Sequence, residues 1–247
     1  MPSHRALILF ALTLLIPLRL SASVMDSVSD DFNDNALDGS KWYTVLPRVA
    51  SKVLEQNQRI ELTARGYLVS QIQPKPSAAN PLTVTGEYVF NNVDPNSFDF
   101  LDITTRTSAT PAGGSNEVTN GISFTFWGTG NLVIIDRAAN AQLGPAVGGF
   151  PVVAGQPYSF TVQDDGLNVS IAVQEVGGPV LATTAGASSY NAASNHVLFY
   201  NREFFNDTGY LDNVVIQTVP EPTAASLLAI AAGGGLLRRR RKVNSSS

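Results

Sequence analysis

The most informative stretch of the chain reads YSFTVQDDGLNVSIAV over residues 158–173. Apolar side chains occupy every second position before the central Asp164-Asp165-Gly166, and they do so again after it. This two-residue period is typical of strands with one buried face. Asp165-Gly166 also tolerates the positive φ angles of a tight reversing turn. The stretch therefore predicts a β-hairpin whose turn lies at the two aspartates and the glycine.

The same alternation recurs through the body of the chain, which we take as residues 24–218. Helical periodicity is missing between Asp30 and Thr218. Segments rich in Gly, Pro, Asn and Asp separate the alternating runs, as they do in antiparallel proteins. The body is therefore predicted to be an all-β sandwich of two packed antiparallel sheets. The predicted strands lie at 60–63, 82–90, 122–126, 158–162, 167–173, 197–200 and 211–216.

The C-terminal segment, residues 219–247, has three parts in a fixed order. After Val219 come Pro220, Glu221 and Pro222, then a mostly apolar run over 223–237, then Arg238, Arg239, Arg240, Arg241 and Lys242. As a helix the apolar run would cover only about 22 Å, whereas the hydrocarbon core of a bilayer is about 30 Å thick. Consecutive cations resist translocation and favour the cytoplasmic face, so the body is expected outside.

This order of parts resembles the sorting signal of PEP-CTERM proteins. In that family the tail holds an exported protein in the inner membrane until an exosortase-type transpeptidase removes it. The resemblance implies a transient membrane anchor, an exosortase partner, and a final location at the cell surface or in the extracellular matrix. The residues also admit an ordinary short transmembrane anchor, or a basic nucleic-acid-binding tail after a buried helix.

The N-terminal segment, residues 1–23, has the organisation of a secretory signal peptide. His4 and Arg5 precede an apolar stretch over 6–18, and Ser21-Ala22-Ser23 supplies the small residues of a cleavage site. Pro17 fits the end of the apolar region and is poorly placed inside a spanning helix. An uncleaved anchor is the alternative interpretation.

Loss of both terminal segments changes the charge of the protein. The whole chain has a formal charge of −4, but the body keeps nine of the 16 basic and 19 of the 20 acidic residues, a balance of −10. Nucleic acid is therefore not an expected partner, because binding its backbone needs a basic surface. The chain has no cysteine, which excludes disulfides, thiolate metal sites and cysteine nucleophiles.

Both ends of the body resemble one fold family. Its opening reads DDFNDNALDGSKW over 30–42, and its close reads VLFY over 197–200 and GYLDNVVI over 209–216. These motifs resemble the first and last strands of concanavalin-A-like jelly rolls, the group of lectins and laminarinase-type glycoside hydrolases. The resemblance implies a jelly-roll sandwich, flanked here by an N-terminal signal helix and a C-terminal short apolar helix. Neither motif is a signature of activity.

The enzymes of that group carry carboxylates at alternate positions of one strand, so that acid and nucleophile share a face. No such strand occurs in this sequence. The nearest candidates, Asp99 and Asp102, are three residues apart, and strand geometry sends them to opposite faces. A Ser-His-Asp site would have to use His196, the only histidine in the body. We therefore expect no catalytic residues, with a carbohydrate-active enzyme as the rival hypothesis.

Calcium is the cofactor that the sequence suggests. In the jelly-roll group a cation often ties the first and last strands, using backbone oxygens and an aspartate of the closing strand. The matching position is Asp212, and Asp31 is the expected acidic neighbour from the opening motif. Hard oxygen ligands suit calcium. The alternative is that both aspartates only cap turns or bond to neighbouring backbone.

Trp127 is the candidate for ligand binding. If the strand from Ile122 stays regular, Trp127 faces away from the core and can stack on the apolar face of a sugar. Asn131 or Arg137 would then supply polar contacts, and Tyr200 and Arg202 share parity near the same surface. The alternative is that the indole folds over the edge of the core, since Gly128 follows at once. The sequence thus predicts a non-catalytic structural or glycan-associated protein, with an extracellular polysaccharide as the expected ligand.

Overall fold

The computed structural model describes residues 27–93, 99–108, 118–202 and 208–218, and these contain sixteen strands and no helix. In chain order the strands are β1 (Ser27–Asp30), β2 (Trp42–Val45), β3 (Lys52–Gln56), β4 (Arg59–Thr63), β5 (Tyr67–Ser70), β6 (Leu82–Phe90), β7 (Phe100–Thr107), β8 (Ile122–Trp127), β9 (Asn131–Asp136), β10 (Ala141–Gln142), β11 (Val147–Gly148), β12 (Pro157–Asp164), β13 (Asn168–Glu175), β14 (Val180–Ala187), β15 (His196–Arg202) and β16 (Thr208–Thr218). The predicted signal peptide and sorting tail lie outside the described residues. Within those residues, no helix has the length and apolar character needed to span a membrane.

The strands form two antiparallel sheets of eight strands each. Sheet 1 has the order β14-β13-β12-β6-β16-β4-β3, with β1 also pairing with β16. Sheet 2 has the order β10-β9-β8-β7-β15-β5-β2, with β11 also pairing with β9. The prediction of an all-β sandwich of two antiparallel sheets is confirmed.

The core lies between the two sheets, as the sequence alternation requires. Along β6, buried and half-buried residues alternate without interruption. The predicted hairpin joins β12 to β13, with Asp164 opposite Val169 and Gly166 at a φ of 89°. Trp42, from the opening motif, is buried in the core against Phe32 and Phe199. The fold is thus stabilised by one large apolar layer, since no disulfide is available.

A buried ion pair connects the two sheets at one end of the core. Arg106 of β7 has a φ of 52° at an irregularity in the pairing with β15. Its guanidinium bonds to the carboxylate of Asp164 at the end of β12, and Thr105 donates to the same carboxylate at 2.9 Å. The side chains of Arg106 and Asp164 are 3% and 0% exposed. We call this pair the inter-sheet ion pair.

The free edge of β14 is crossed by residues 143–148, here called the edge strap. The strap is attached to sheet 2, where the amide of Leu143 donates to the carbonyl of Ile134 at 2.8 Å. On the other side, Thr184 of β14 donates its hydroxyl to the carbonyl of Pro145 at 2.6 Å. Gly144 has a φ of 72° and lies so close to β14 that a Cβ would approach the carbonyl of Ala185 to 2.0 Å. Only glycine fits there.

Candidate functional site

The candidate site lies on the face of sheet 2 that points away from the core. Leu101 and Ile103 of β7 belong to the core, so the residues between and beside them point outward. The same alternation applies to β8, where Phe124 and Phe126 are in the core. We call this surface the outer face, and on the central strands it consists of Tyr67, Val69, Phe100, Asp102, Thr104, Ser123, Thr125, Trp127, Leu198, Tyr200 and Arg202.

A row of four aromatic rings crosses the outer face. The ring centroids of Tyr67 and Tyr200 are 4.7 Å apart, those of Tyr200 and Phe100 are 6.0 Å apart, and those of Phe100 and Trp127 are 4.6 Å apart. The first three side chains are buried, with Val118 packed against the same cluster, whereas Trp127 is half-buried. Trp127 therefore gives the row its accessible end.

The position of Trp127 agrees with the face expected from sequence alternation. Its indole packs on Phe100 of the outer face, so it does not serve as a lid on the core edge. Asn131 of β9 is its direct cross-strand partner. Tyr200 and Arg202 lie on the same face, as their shared parity predicted. Whether the indole binds a ligand stays a prediction.

Next to the aromatic row, Asp102 is the centre of a polar cluster. Its carboxylate accepts hydrogen bonds from Arg137 at 2.6 Å, from Ser123 at 2.5 and 2.6 Å, and from Thr104 at 2.8 Å. Thr125 contributes a longer contact of 3.4 Å. The Asp102 side chain is fully buried. These donors occupy the lone pairs that nucleophilic attack or proton transfer would use.

Glycoside hydrolysis needs a second carboxyl group about 5 Å or more from the first. Among the described residues of the sheet 2 strands, Asp102 is the only acidic side chain on the outer face. Asp136 of β9 points to the other side, where it accepts a hydrogen bond from Ser188 at 2.9 Å. Asp99 lies just before β7, and its side chain is buried. The described part of the chain thus offers no carboxylate pair on this face.

His196 also lies on sheet 2, but its side chain is fixed by a hydrogen bond to a backbone carbonyl. Its Nδ1 atom is 2.8 Å from the carbonyl oxygen of Ser70, and its ring meets Tyr43 edge to face at 5.8 Å between centroids. The contact to a carbonyl fixes the ring orientation and makes Nδ1 the protonated nitrogen. This is a structural arrangement of a histidine. Nothing in the sequence indicated which residues would surround it.

The predicted calcium ligands are at the other sheet: Asp212 lies in β16 of sheet 1, and Asp31 directly follows β1. Asp212 is the cross-strand partner of Glu87, and Asn213 beside it has a φ of 50° where the pairing shifts. Burial raises the pKa of Asp212, and the carboxylates of Glu87 and Asp31 raise it further. The two predicted ligands are therefore close enough to interact. No group of three or more His, Cys, Asp or Glu side chains suited to a metal occurs among the described residues.

The fold is identified by its similarity to solved structures and not by similarity of sequence. No family model matches the chain, and no curated protein matches its sequence. The structure is similar to winged bean acidic lectin complexed with methyl-α-D-galactose, at a TM-score of 0.59 and 10% identity, covering 78% of this chain and 98% of the lectin. The fold is a concanavalin-A-like jelly roll.

Two bacterial proteins share this jelly roll. Endo-1,3-β-glucanase from Streptomyces sioyaensis has a TM-score of 0.53 and 12% identity, covering 80% of this chain and 98% of the glucanase. The carbohydrate-binding module CBM66 from Bacillus subtilis has a TM-score of 0.50 and 10% identity, covering 71% of this chain and 94% of the module. The fold thus occurs in both binding proteins and an enzyme, and identities this low establish the fold only.

Proposed function

We propose that the jelly roll is a non-catalytic glycan-binding domain of an exported protein, and that its ligand binds at the outer face of sheet 2. One observation carries the proposal: the aromatic row, which is buried along most of its length and accessible at Trp127. A buried row holds its last ring in a fixed orientation. A pre-oriented indole loses little conformational entropy when a sugar stacks on it.

Polar groups beside Trp127 suit a sugar. Asn131 is its cross-strand partner, and an amide can both donate to and accept from sugar hydroxyls. The hydroxyls around Asp102 beside the aromatic row are buried and donate to its carboxylate, so they support the strands under Trp127 and do not contact a ligand. Small-molecule sites usually combine an aromatic or apolar surface with a few adjacent hydrogen-bonding groups, as Trp127 and Asn131 do here.

The engagement of Asp102 supports a non-catalytic role. Its carboxylate is ion-paired with Arg137 and bonded to hydroxyl groups. The rival function is a carbohydrate-active enzyme, favoured by the similarity to the glucanase. Such an enzyme would need a second carboxyl group beside Asp102, brought there by a segment outside the described residues.

We also propose that an exosortase-type system sorts this protein to the cell surface or extracellular matrix through a transient inner-membrane anchor. The support is the order of Pro220-Glu221-Pro222, the short apolar run and Arg238 to Arg241 at the end of the sequence. A run too short for the bilayer and fixed by cations makes a temporary anchor.

A structural calcium ion at Asp31 and Asp212 is a further part of the proposal. Burial raises the pKa of Asp212, and the carboxylates of Glu87 and Asp31 raise it further, so negative charge is concentrated near Asp212. Calcium takes about six to eight oxygen ligands, so backbone carbonyls and water would have to complete the shell. Carboxylate oxygens suit a hard cation, and a bound cation would relieve the repulsion between these side chains.

A combined binding and turnover assay tests the glycan-binding proposal. The full-length chain is applied to a glycan array and, in parallel, to a reducing-sugar release assay. We expect binding without turnover, and at least a tenfold loss of affinity for Trp127→Ala, with Trp127→Phe retaining most of the binding. Turnover would overturn the non-catalytic proposal. Absence of both binding and turnover would instead indicate a purely structural protein.

A further inference from the structure

We propose that the solvent side of sheet 1 carries a second binding groove for a neutral polysaccharide, so that one copy of the protein can connect two glycan chains. This inference rests on the proposed glycan-binding function and adds a second site to it, on the other sheet from Trp127. It depends on the shape of the groove, on the polar side chains of its floor and on its charge.

The floor of this groove is a row of side chains that crosses four neighbouring strands. Thr83 of β6 is the cross-strand partner of Gln163 in β12. Gln163 pairs in turn with Ser170 of β13, and Ser170 pairs with Ala185 of β14. These side chains point away from the core, because the residues on either side of them in β6, β12 and β13 are buried. Neighbouring strands are about 4.8 Å apart, so the row is about 14 Å long.

A tight turn before β6 gives the groove its depth. The amides of Ser77 and Asn80 each donate to the other's carbonyl, at 3.2 and 3.0 Å. The turn packs on the hairpin between β12 and β13, so closely that a Cβ on Gly166 would lie 2.9 Å from the carbonyl oxygen of Pro76. With Pro81 beside the floor, the groove has a volume of about 670 Å³. Ligand sites in proteins usually have volumes of about 300–1,000 Å³.

The polar side chains of the floor suit a ligand that carries hydroxyl groups. The hydroxyls of Thr83 and Ser170 and the amide of Gln163 can each donate and accept hydrogen bonds. Among the described residues, none of these three side chains takes part in a hydrogen bond. Their hydrogen-bonding capacity is therefore available to a sugar, whose hydroxyls also donate and accept.

The charge around the groove favours a neutral polymer. Of the two aspartates in its lining, Asp164 belongs to the inter-sheet ion pair. Asp165 accepts hydrogen bonds from the amides of Leu167 and Asn168 at 2.9 and 2.6 Å. No basic side chain occurs among the described residues that line the groove. An anionic polymer would therefore meet repulsion from Asp165 without a compensating cation.

An extended peptide fits this surface less well than a polysaccharide does. Peptides that add to a sheet need a free strand edge, and the edge strap covers the edge of β14. Other peptide sites need apolar pockets, whereas the floor consists of hydroxyl, amide and methyl groups.

The groove and Trp127 face opposite sides of the sandwich. Trp127 points outward from sheet 2, and the row from Thr83 to Ala185 points outward from sheet 1. Packed sheets are about 10 Å apart, so a polysaccharide chain in one site leaves the other site open. A protein with two such sites holds a glycan network together more strongly than either site alone.

The test measures whether one protein joins two polysaccharide chains. Three neutral polymers, laminarin, galactomannan and dextran, are each immobilised, loaded with the full-length chain, and then exposed to the same polymer carrying a fluorescent label. We expect the loaded surface to capture labelled polymer for at least one of the three. Capture should fall about three- to tenfold for Gln163→Ala, the loss expected for a neutral hydrogen bond. It should disappear for Ala185→Tyr, which places a bulky ring on the floor, while the protein still loads through Trp127. Gln56→Ala, the same change at an exposed position of β3 in the same sheet, should leave capture unchanged.

The outcomes separate this inference from the function beneath it. Loading without capture, or undiminished capture by both groove variants, would overturn the second site while glycan binding stands. If the protein binds a glycan array but loads on none of the three neutral polymers, the inference is also wrong. If it binds neither the array nor the polymers, the proposed function itself fails. Gln163 and Ala185 are exposed, so both variants should fold, as judged by circular dichroism. Should Ala185→Tyr not fold, the comparison of Gln163→Ala with Gln56→Ala still decides.

Discussion

The inter-sheet ion pair gives the strongest quantitative prediction, for the variant Arg106→Met. Methionine keeps an unbranched apolar stem but removes the charge that Asp164 faces. Removing one partner of a buried ion pair costs about 3–5 kcal/mol, because the other charge is left in a poorly solvated site. Asp164 would keep the Thr105 hydroxyl and the Gly166 amide, both at 2.9 Å. These contacts place the expected loss near the lower end, about 3 kcal/mol.

Urea unfolding of the full-length chain, followed by tryptophan fluorescence, measures this loss. For a domain of this size, about 3 kcal/mol corresponds to a fall in Tm of roughly 6–12 °C. Arg48→Met makes the same substitution at an exposed position and should change the free energy of unfolding by no more than about 0.5 kcal/mol.

A double-mutant cycle with Asp164→Asn tests the mechanism. If the two side chains act as a pair, the double variant should be destabilised by clearly less than the sum of the single variants. Strictly additive losses would contradict the reasoning. So would an Arg106→Met variant within about 1 kcal/mol of the unmutated protein, since that result would mean that solvent reaches the site.

Three further predictions concern charge and processing. Burial and the neighbouring Asp34 raise the pKa of Glu55 above its usual value. The folded state therefore holds that proton more tightly than the unfolded state, and the stability of the protein falls as pH rises through the raised pKa. In thermal melts at a series of pH values, Glu55→Gln should become progressively more stable than the unmutated protein as pH rises. An equal gap at every pH would contradict this. Calcium should raise the Tm of the unmutated protein but not the Tm of Asp212→Asn. Without calcium, Asp212→Asn should be the more stable protein, because it lacks the repulsion between Asp212 and Glu87. If calcium raises the Tm of both proteins equally, the metal proposal is wrong. In a bacterial host that has an exosortase-type system, Glu221→Ala should accumulate as unprocessed precursor in membrane fractions, detected by immunoblot. Normal release would count against exosortase sorting.

Local patterns in the sequence were sufficient to predict the fold. Each predicted strand corresponds to a strand of the structure, because alternation over a few residues determines which side chains can be buried together. The hairpin at Asp164-Asp165-Gly166 is the clearest case, since turn chemistry and periodicity agree there. The face of Trp127 followed from the same rule. Two-residue strands such as β11 are too short to leave such a pattern.

The site was only partly predictable, because its important contacts join residues that are distant in sequence. Asp102 meets Arg137 across 35 positions, and Arg106 meets Asp164 across 58. The first pair depends on the order of β7, β8 and β9, and the second on an irregular backbone at Arg106. Neither strand order nor a positive φ at arginine has a signal in the composition around it.

The edge strap affects how this protein behaves among many copies of itself. An uncovered outer strand exposes a row of amide and carbonyl groups to which another polypeptide can add, the first step of uncontrolled polymerisation. With residues 143–145 lying against β14, another chain could join that side of sheet 1 only after displacing the strap. The opposite margin, β3, carries Lys52 and Glu55, and charges on a terminal strand also discourage such growth. A domain built in this way can be present at high concentration without fusing into fibrils.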